Sequence, residues 1–192
     1  MAVHLTRIYT RTGDDGTSGL GDFTRVPKTD PRLAAYADVD EANCALGVAL
    51  ALGSLEQRLV TVLRQVQNDL FDVGADLCTP ITQDPQYPPL RIDNGYVTRL
   101  EGWCDEFNGP LPKLDSFILP GGTPGAALLH TARVVTRRAE RSTWALLAVD
   151  AERTNALTAR YLNRLSDLLF ILCRVANPDG DVLWKPGGDR RE

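Results

Sequence analysis

Three arginines, Arg133, Arg137 and Arg141, recur at four-residue steps within "ARVVTRRAERSTWALL". On a helix turning roughly 100° per residue they share one stripe with His130, Glu140 and Trp144, while Leu128, Ala132, Val135, Ala139 and Leu146 fall opposite. Guanidinium forks match phosphate oxygens, so the stripe suits a polyphosphate. The preceding "PGGTPG" offers free helix-start amides, which also attract anions. The competing reading is a solvated face, with Glu140 and Arg137 paired for about a few tenths of a kcal/mol.

A second candidate lies near the start, in "TRTGDDGTSGLGD", Thr10 to Asp22. Gly13, Gly16, Gly19 and Gly21 would let backbone amides approach phosphates, and Thr10, Thr12, Thr17 and Ser18 would supply hydroxyl donors. The segment lacks the G-x-x-x-x-G-K-[ST] pattern of a Walker A loop, the third glycine of a dinucleotide fingerprint and the ligand spacing of an EF-hand. An ordinary flexible loop is the alternative. On the last helical segment Asn163, Asp167, Phe170 and Arg174 form another stripe, readable also as buried polar residues satisfied by neighbouring helices. Asp38 and Asp40 could be surface charge.

The elements that would position these residues read as helices. Asp30 and Pro31 open the first as cap and first-turn proline, and Gly53 closes it. Ser54 and Gln57 are expected to form a capping box for the second, whose seam is Leu59, Leu63, Val66, Leu70, Val73 and Leu77. The prolines between Thr79 and Asn94 predict a loop, and a shorter helix follows over about Val97–Phe107. "SFILP" is expected to be extended. Thr123 and Pro124 open the arginine helix, and the last long helix covers about Asn155–Ala176. No sheet is expected, and the sum is an all-α, five-helix bundle.

Length and composition fit that sum. The 192 residues, 43% hydrophobic and 24% charged, predict one globular domain. It divides into a nucleotide-binding loop (1–29), the helical bundle (30–177) and a mobile tail (178–192). A net charge of -4 argues against nucleic-acid binding. The absence of a membrane-length apolar run or a secretory signal predicts a cytoplasmic protein that does not enter a membrane. Cys44, Cys78, Cys104 and Cys173 lack C-x-x-C spacing and are expected as buried free thiols. With only His4 and His130, a multi-histidine metal site is excluded.

Five blocks, "IYTRTGDDGTSGL", "YADVDEANCALG", "FILPGGT", "ARVVTRRAER" and "NRLSDLLF", occur in the order and near the spacing of the PduO-type ATP:cob(I)alamin adenosyltransferases. The chain resembles that family from about Ile8 to Asn177. The resemblance implies a homotrimeric bundle with sites between neighbouring subunits, ATP and cobalamin as substrates, and Mg2+ on the triphosphate. By position it implies that Thr10, Arg11, Thr12, Gly13, Ser18, Gly19 and Lys28 wrap the triphosphate. Arg137, Arg138, Glu140, Arg141 and Asn163 would contact the nucleotide as well. It further implies that Asp40 pairs with Arg133 across the subunit boundary, and that Phe117 lies beneath the corrin ring and keeps the lower ligand off cobalt. A flavin-type reductase and a corrinoid-dependent acceptor enzyme are the implied partners. Two departures stand out: Asp15 occupies a position often held by lysine, and the tail around Trp184 aligns less readily. A non-catalytic ATP-binding sensor or scaffold is the alternative function.

Overall fold

A computed structural model describes residues 9–85 and 87–187. Five α-helices make up most of it: α1 (Pro31–Leu52), α2 (Gln57–Cys78), α3 (Asn94–Asn108), α4 (Pro124–Asp150) and α5 (Ala156–Val175). One 3-10 turn, Ala151–Arg153, joins α4 to α5. Helix α1 packs between α2 and α4, and α5 packs between α4 and α3.

Local chemistry accounts for most helix ends. The side chains of Asp30, Thr123 and Asn155 accept from Arg32 N, Ala126 N and Leu157 N, and Pro31 and Pro124 occupy first turns where no amide donor is needed. The expected capping box at α2 does not form. Glu56 is the N-cap without a side-chain hydrogen bond, because Ser54 is drawn into a left-handed turn (φ 49°) that carries the chain from α1 into α2.

The predicted α2 seam is buried in full, from Leu59 to Leu77. It meets Leu46 of α1, Leu129 of α4 and Leu162, Leu165 and Leu169 of α5 in one core. At α4 the predicted apolar side is only partly right. Ala132, Ala139 and Leu146 are buried, Leu128 and Val135 only partly, and Thr136 and Thr143 are buried with their hydroxyls donating to Ala132 O and Ala139 O.

Two further expectations are corrected. A two-stranded antiparallel hairpin exists where no sheet was expected: β1 (Thr17–Gly19) pairs with β2 (Arg25–Pro27), placing Ser18 opposite Val26. The strands are too short to show a period in sequence. Of the four free cysteines only Cys173 is buried, Cys44 is exposed, and Cys78 and Cys104 are intermediate. Over Asp181–Trp184 the tail lies against the bundle. Ile118 and Leu183 form an antiparallel bridge, Trp184 N donates to Phe117 O at 2.7 Å, and the "SFILP" segment is extended as expected.

One end of the bundle is held by buried polar side chains. Arg32, 3% exposed, donates to Leu77 O, Asp150 Oδ2, Arg153 O and Thr154 Oγ1. Nearby, Asp76 accepts from Arg91 Nη1, Ile92 N and Asn155 Nδ2. The root of the opening loop is fixed here too. Gly21 N donates to Cys78 O at 2.9 Å, and a β-carbon at Gly21 would come within 2.1 Å of Thr79 Oγ1, so a side chain there must displace Thr79.

Candidate active site

Arg133, Arg137 and Arg141 emerge along α4 with no carboxylate partner among the described residues. Arg137 and Arg141 are exposed, and Arg133 is half-buried. The helical ion pair that would neutralise Arg137 is not made, because Glu140 is engaged elsewhere. Its Oε1 accepts from Asn163 Nδ2 at 3.1 Å, Asn163 Oδ1 accepts from Arg164 Nη1, and Arg164 Nε reaches Glu101 Oε1 at 2.9 Å. The structure thus joins two sequence-predicted residues, Glu140 and Asn163, beside free guanidinium groups. Asp167 adjoins them: burial pushes its carboxyl above the usual range and Glu140 adds to this, while Arg164 and Arg137 oppose it.

Arg138 points differently. It pairs with Glu41 and lies 3.8 Å from Asp38 Oδ1, and Ser142 Oγ also donates to Asp38, so this arginine ties α4 to α1. Asp40, between Asp38 and Glu41 on α1, is exposed and makes no ion pair among the described residues. It lines a groove of about 320 Å³ with Tyr36, Phe71 and Gly74. Asp40 and Arg133 do not pair within one chain.

The opening loop is organised by its own side chains. Asp15 Oδ1 accepts from Thr17 N at 3.0 Å and Thr17 Oγ1 at 2.7 Å, and these hydrogen bonds hold its carboxyl below the usual range. Arg25 donates to Thr17 Oγ1 and to Thr12 O. Thr10 and Thr12 share a hydrogen bond, Arg11 (φ 63°) and Gly16 (φ 80°) turn the chain through left-handed conformations, and Lys28 N donates to Gly16 O. A β-carbon at Gly13 would lie 3.1 Å from Lys28 Nζ, so the ammonium sits over the glycine that the sequence placed in a phosphate loop. Ser18 and Gly19 lie on β1, Ser18 half-buried and Gly19 exposed. This loop is rooted where α2 and α4 end. Arg137 is thirteen residues before Asp150, about 20 Å along the axis. Among the described residues no hydrogen bond or ion pair links Thr10–Lys28 to the arginine stripe.

At the other end of the stripe is an aromatic cavity of about 840 Å³, walled by Phe117, Ile118, Phe170 and Trp184 with His130 and Arg133 between them. Phe117 is 77% exposed and meets Trp184 edge to face at 6.0 Å, although so large an apolar ring is ordinarily covered. The pinned tail holds Trp184 there, and Arg174 anchors the tail through Asp181 Oδ2 at 2.8 Å. Of the two readings of its stripe, Arg174 follows the buried polar one, satisfied by Asp181 and Pro112 O. Its partner lies only seven residues on, across the Pro178 break, and helical spacing cannot anticipate such a pair. His4 lies outside the described residues.

One helix face thus carries unpaired guanidinium groups beside a cavity walled by aromatic rings, the arrangement of an enzyme that binds a polyanion next to a large flat ligand. The profile of the cobalamin adenosyltransferase family matches residues 8–176. The corrinoid adenosyltransferase of Mycobacterium tuberculosis H37Rv is 68% identical over 190 residues, covering 99% of this chain and 98% of that protein. That of Bacillus subtilis is 40% identical, covering 93% and 92%. A solved variant of the PduO-type ATP:corrinoid adenosyltransferase from Lactobacillus reuteri, complexed with cobalamin and ATP, superposes with TM-score 0.86 at 36% identity, covering 94% and 100%. The chain belongs to the cobalamin adenosyltransferase family.

Proposed function

We propose that α4 is the ruler of the transfer site, with the corrinoid in the aromatic cavity beside Phe117 and the triphosphate of ATP along Arg137 and Arg141. The activity is ATP-dependent adenosylation of cobalamin. Bound cob(II)alamin is reduced by one electron, and cob(I)alamin then attacks the 5' carbon of ATP in line. Cobalt's electron pair forms the cobalt-carbon bond as the carbon-oxygen bond breaks, and triphosphate leaves with the electron pair of that broken bond. No protein nucleophile is required.

The observation that carries this reading is the place of Arg133, which lines the aromatic cavity and stands one helical turn, about 6 Å, before Arg137. Corrinoid and nucleotide therefore meet along one rigid element, and positioning is most of what the protein must supply. Glu140, fixed by Asn163, leaves the arginines charged and unpaired for the departing triphosphate, whose growing negative charge they stabilise. Phe117 occupies the cavity where a lower axial ligand would otherwise approach cobalt. Four-coordinate cobalt(II) is the more easily reduced form. A nucleotide sensor or scaffold would have no use for that cavity.

The opening loop belongs to the same site in a neighbouring copy. Thr10, Arg11, Thr12, Gly13, Ser18, Gly19 and Lys28 make no hydrogen bond or ion pair with the arginine stripe of their own chain among the described residues, and their loop is rooted at the far end of α4 from it. The unpaired Asp40 and the unpaired Arg133 would satisfy each other between copies, with Arg138 bracing α1 against α4. Such a head-to-tail contact closes as a ring, here a homotrimer. Mg2+ would arrive on the triphosphate, since no group of three metal-ligating side chains exists among the described residues. Among those residues no helix is long and apolar enough to cross a membrane, and we place the enzyme in the cytoplasm, receiving its electron from a flavin-type reductase and passing product to a corrinoid-dependent enzyme. The test mixes the protein with ATP and cob(I)alamin. Growth of the cobalt-carbon absorbance with stoichiometric triphosphate is expected, and ADP or diphosphate as product would overturn the reading.

A further inference from the structure

Two sealed polar atoms in residues of the aromatic cavity wall have no partner, His130 Nδ1 and Arg133 Nε, and a third, Asp181 Oδ1, lies on the tail that carries Trp184. Buried polar atoms are nearly always satisfied, so a cluster of exceptions marks a place built for something else. His130 is the most informative, being 4% exposed and part of the cavity wall. Its ring is set edge to face against Phe170 at 6.5 Å, which fixes its plane. Nδ1 is sealed, so Nε2 is the nitrogen left to face the cavity. A buried lone pair without a donor is tolerated better than a buried N–H without an acceptor. The proton of the neutral ring therefore belongs on Nε2. Protonating Nδ1 as well would bury a second unmatched donor beside the Arg133 charge, and burial together with Arg133 holds this imidazole below its usual pKa.

We infer that His130, through Nε2–H, donates a hydrogen bond to an uncharged carbonyl oxygen on the rim of the corrinoid, an amide side chain, and so fixes the macrocycle's rotation in the cavity. The inference rests on the corrinoid occupying this cavity as described above. Apolar rings such as Phe117 and Trp184 can grip a flat ligand but cannot set its angle, whereas one directional donor can. A neutral donor also suits an amide better than a phosphate, which leaves the nucleotide to the arginines. His130 is thus assigned to corrinoid specificity rather than to ATP.

The test measures cob(II)alamin and ATP affinities separately for the wild type, His130→Phe and His130→Gln. Phenylalanine keeps the packing against Phe170 and removes the donor, while glutamine keeps a neutral donor. The expected result is about tenfold weaker cob(II)alamin binding for His130→Phe, recovery to within about threefold of wild type for His130→Gln, and unchanged ATP affinity for both. Wild-type corrinoid affinity in His130→Phe would overturn the inference while leaving the proposed function standing. Failure of the wild type itself to bind cobalamin would overturn both. A second readout needs no variant at this position. His4 and His130 are the only histidines, so nitrogen NMR with His4→Gln isolates one ring. Its signals are expected to show the Nε2–H tautomer and to shift on saturation with diamagnetic adenosylcobalamin, and signals that do not move would overturn the inference.

Discussion

The two polar regions of this bundle are built on opposite rules. At the end where α1 begins and α2 stops, Asp76 has both carboxylate oxygens engaged and Arg32 reaches four acceptors across three segments. Along the outer face of α4, by contrast, three guanidinium groups lack carboxylates, polar atoms lie sealed without partners, and Phe117 stands in the open. A closed network spends its hydrogen-bonding capacity on the fold, and an open one keeps it for a ligand. The contrast separates residues whose loss should unfold the protein from residues whose loss should only silence it.

The largest effect is expected at the closed end. Asp76→Ala leaves Arg91, Ile92 N and Asn155 without their common acceptor, and breaking a buried pair on one side costs about 3–5 kcal/mol. Urea denaturation should register the loss, and an unchanged midpoint would break the comparison. Arg137→Ala should do the reverse. Removing a preorganised donor to the developing charge lowers turnover about 10²–10³-fold, while the midpoint stays at the wild-type value because Arg137 has no partner to lose. Near-normal turnover would remove the arginine stripe from the mechanism.

Between these extremes is the root of the opening loop. Gly21→Ala places a methyl group against Thr79, and such overpacking costs about 1–3 kcal/mol. Because the strain falls on the loop, the KM for ATP should rise while cob(II)alamin affinity holds. Equal changes in both would mean that the loop does not belong to the nucleotide side.

The same contrast explains what could be read from sequence. The α2 seam, the Asp30 and Thr123 caps and the Arg133–Arg137–Arg141 stripe are periodic or local, so spacing alone reveals them. The closed network is neither. Arg32 reads as an ordinary first-turn residue, and its acceptors lie 45 to 122 positions away. His130 was placed on the functional stripe by angle alone. Its burial depends on Phe170 and on the tail around Trp184, held by a single bridge that no sequence period announces. The Ser54 capping box failed because the turn out of α1 imposed a backbone conformation that no cap can use.

The smallest expected effect concerns pH and tests whether the open region is as poorly solvated as its orphan atoms imply. Burial disfavours the charged ring of His130 most, Arg133 on its own helix acts in the same sense, and Asp181 on the tail opposes them more weakly. Its folded pKa is therefore lowered. As pH falls through the ordinary imidazole range near 6.5, the unfolded chain takes up a proton that the folded protein resists. The neutral ring's contribution is thus fully present above that range and is lost as pH falls toward the folded pKa. Asp15 and Asp22 are both lowered and titrate further into acid, and Asp167, raised by burial, is present in both proteins and cancels when the wild type is compared with His130→Gln. Melting temperatures from pH 7.5 to 5.0 should fall more steeply for the wild type than for His130→Gln, which has nothing to titrate there. Parallel slopes would mean that the ring is solvated, and the open region would then be an ordinary wet surface rather than a cavity prepared for a ligand.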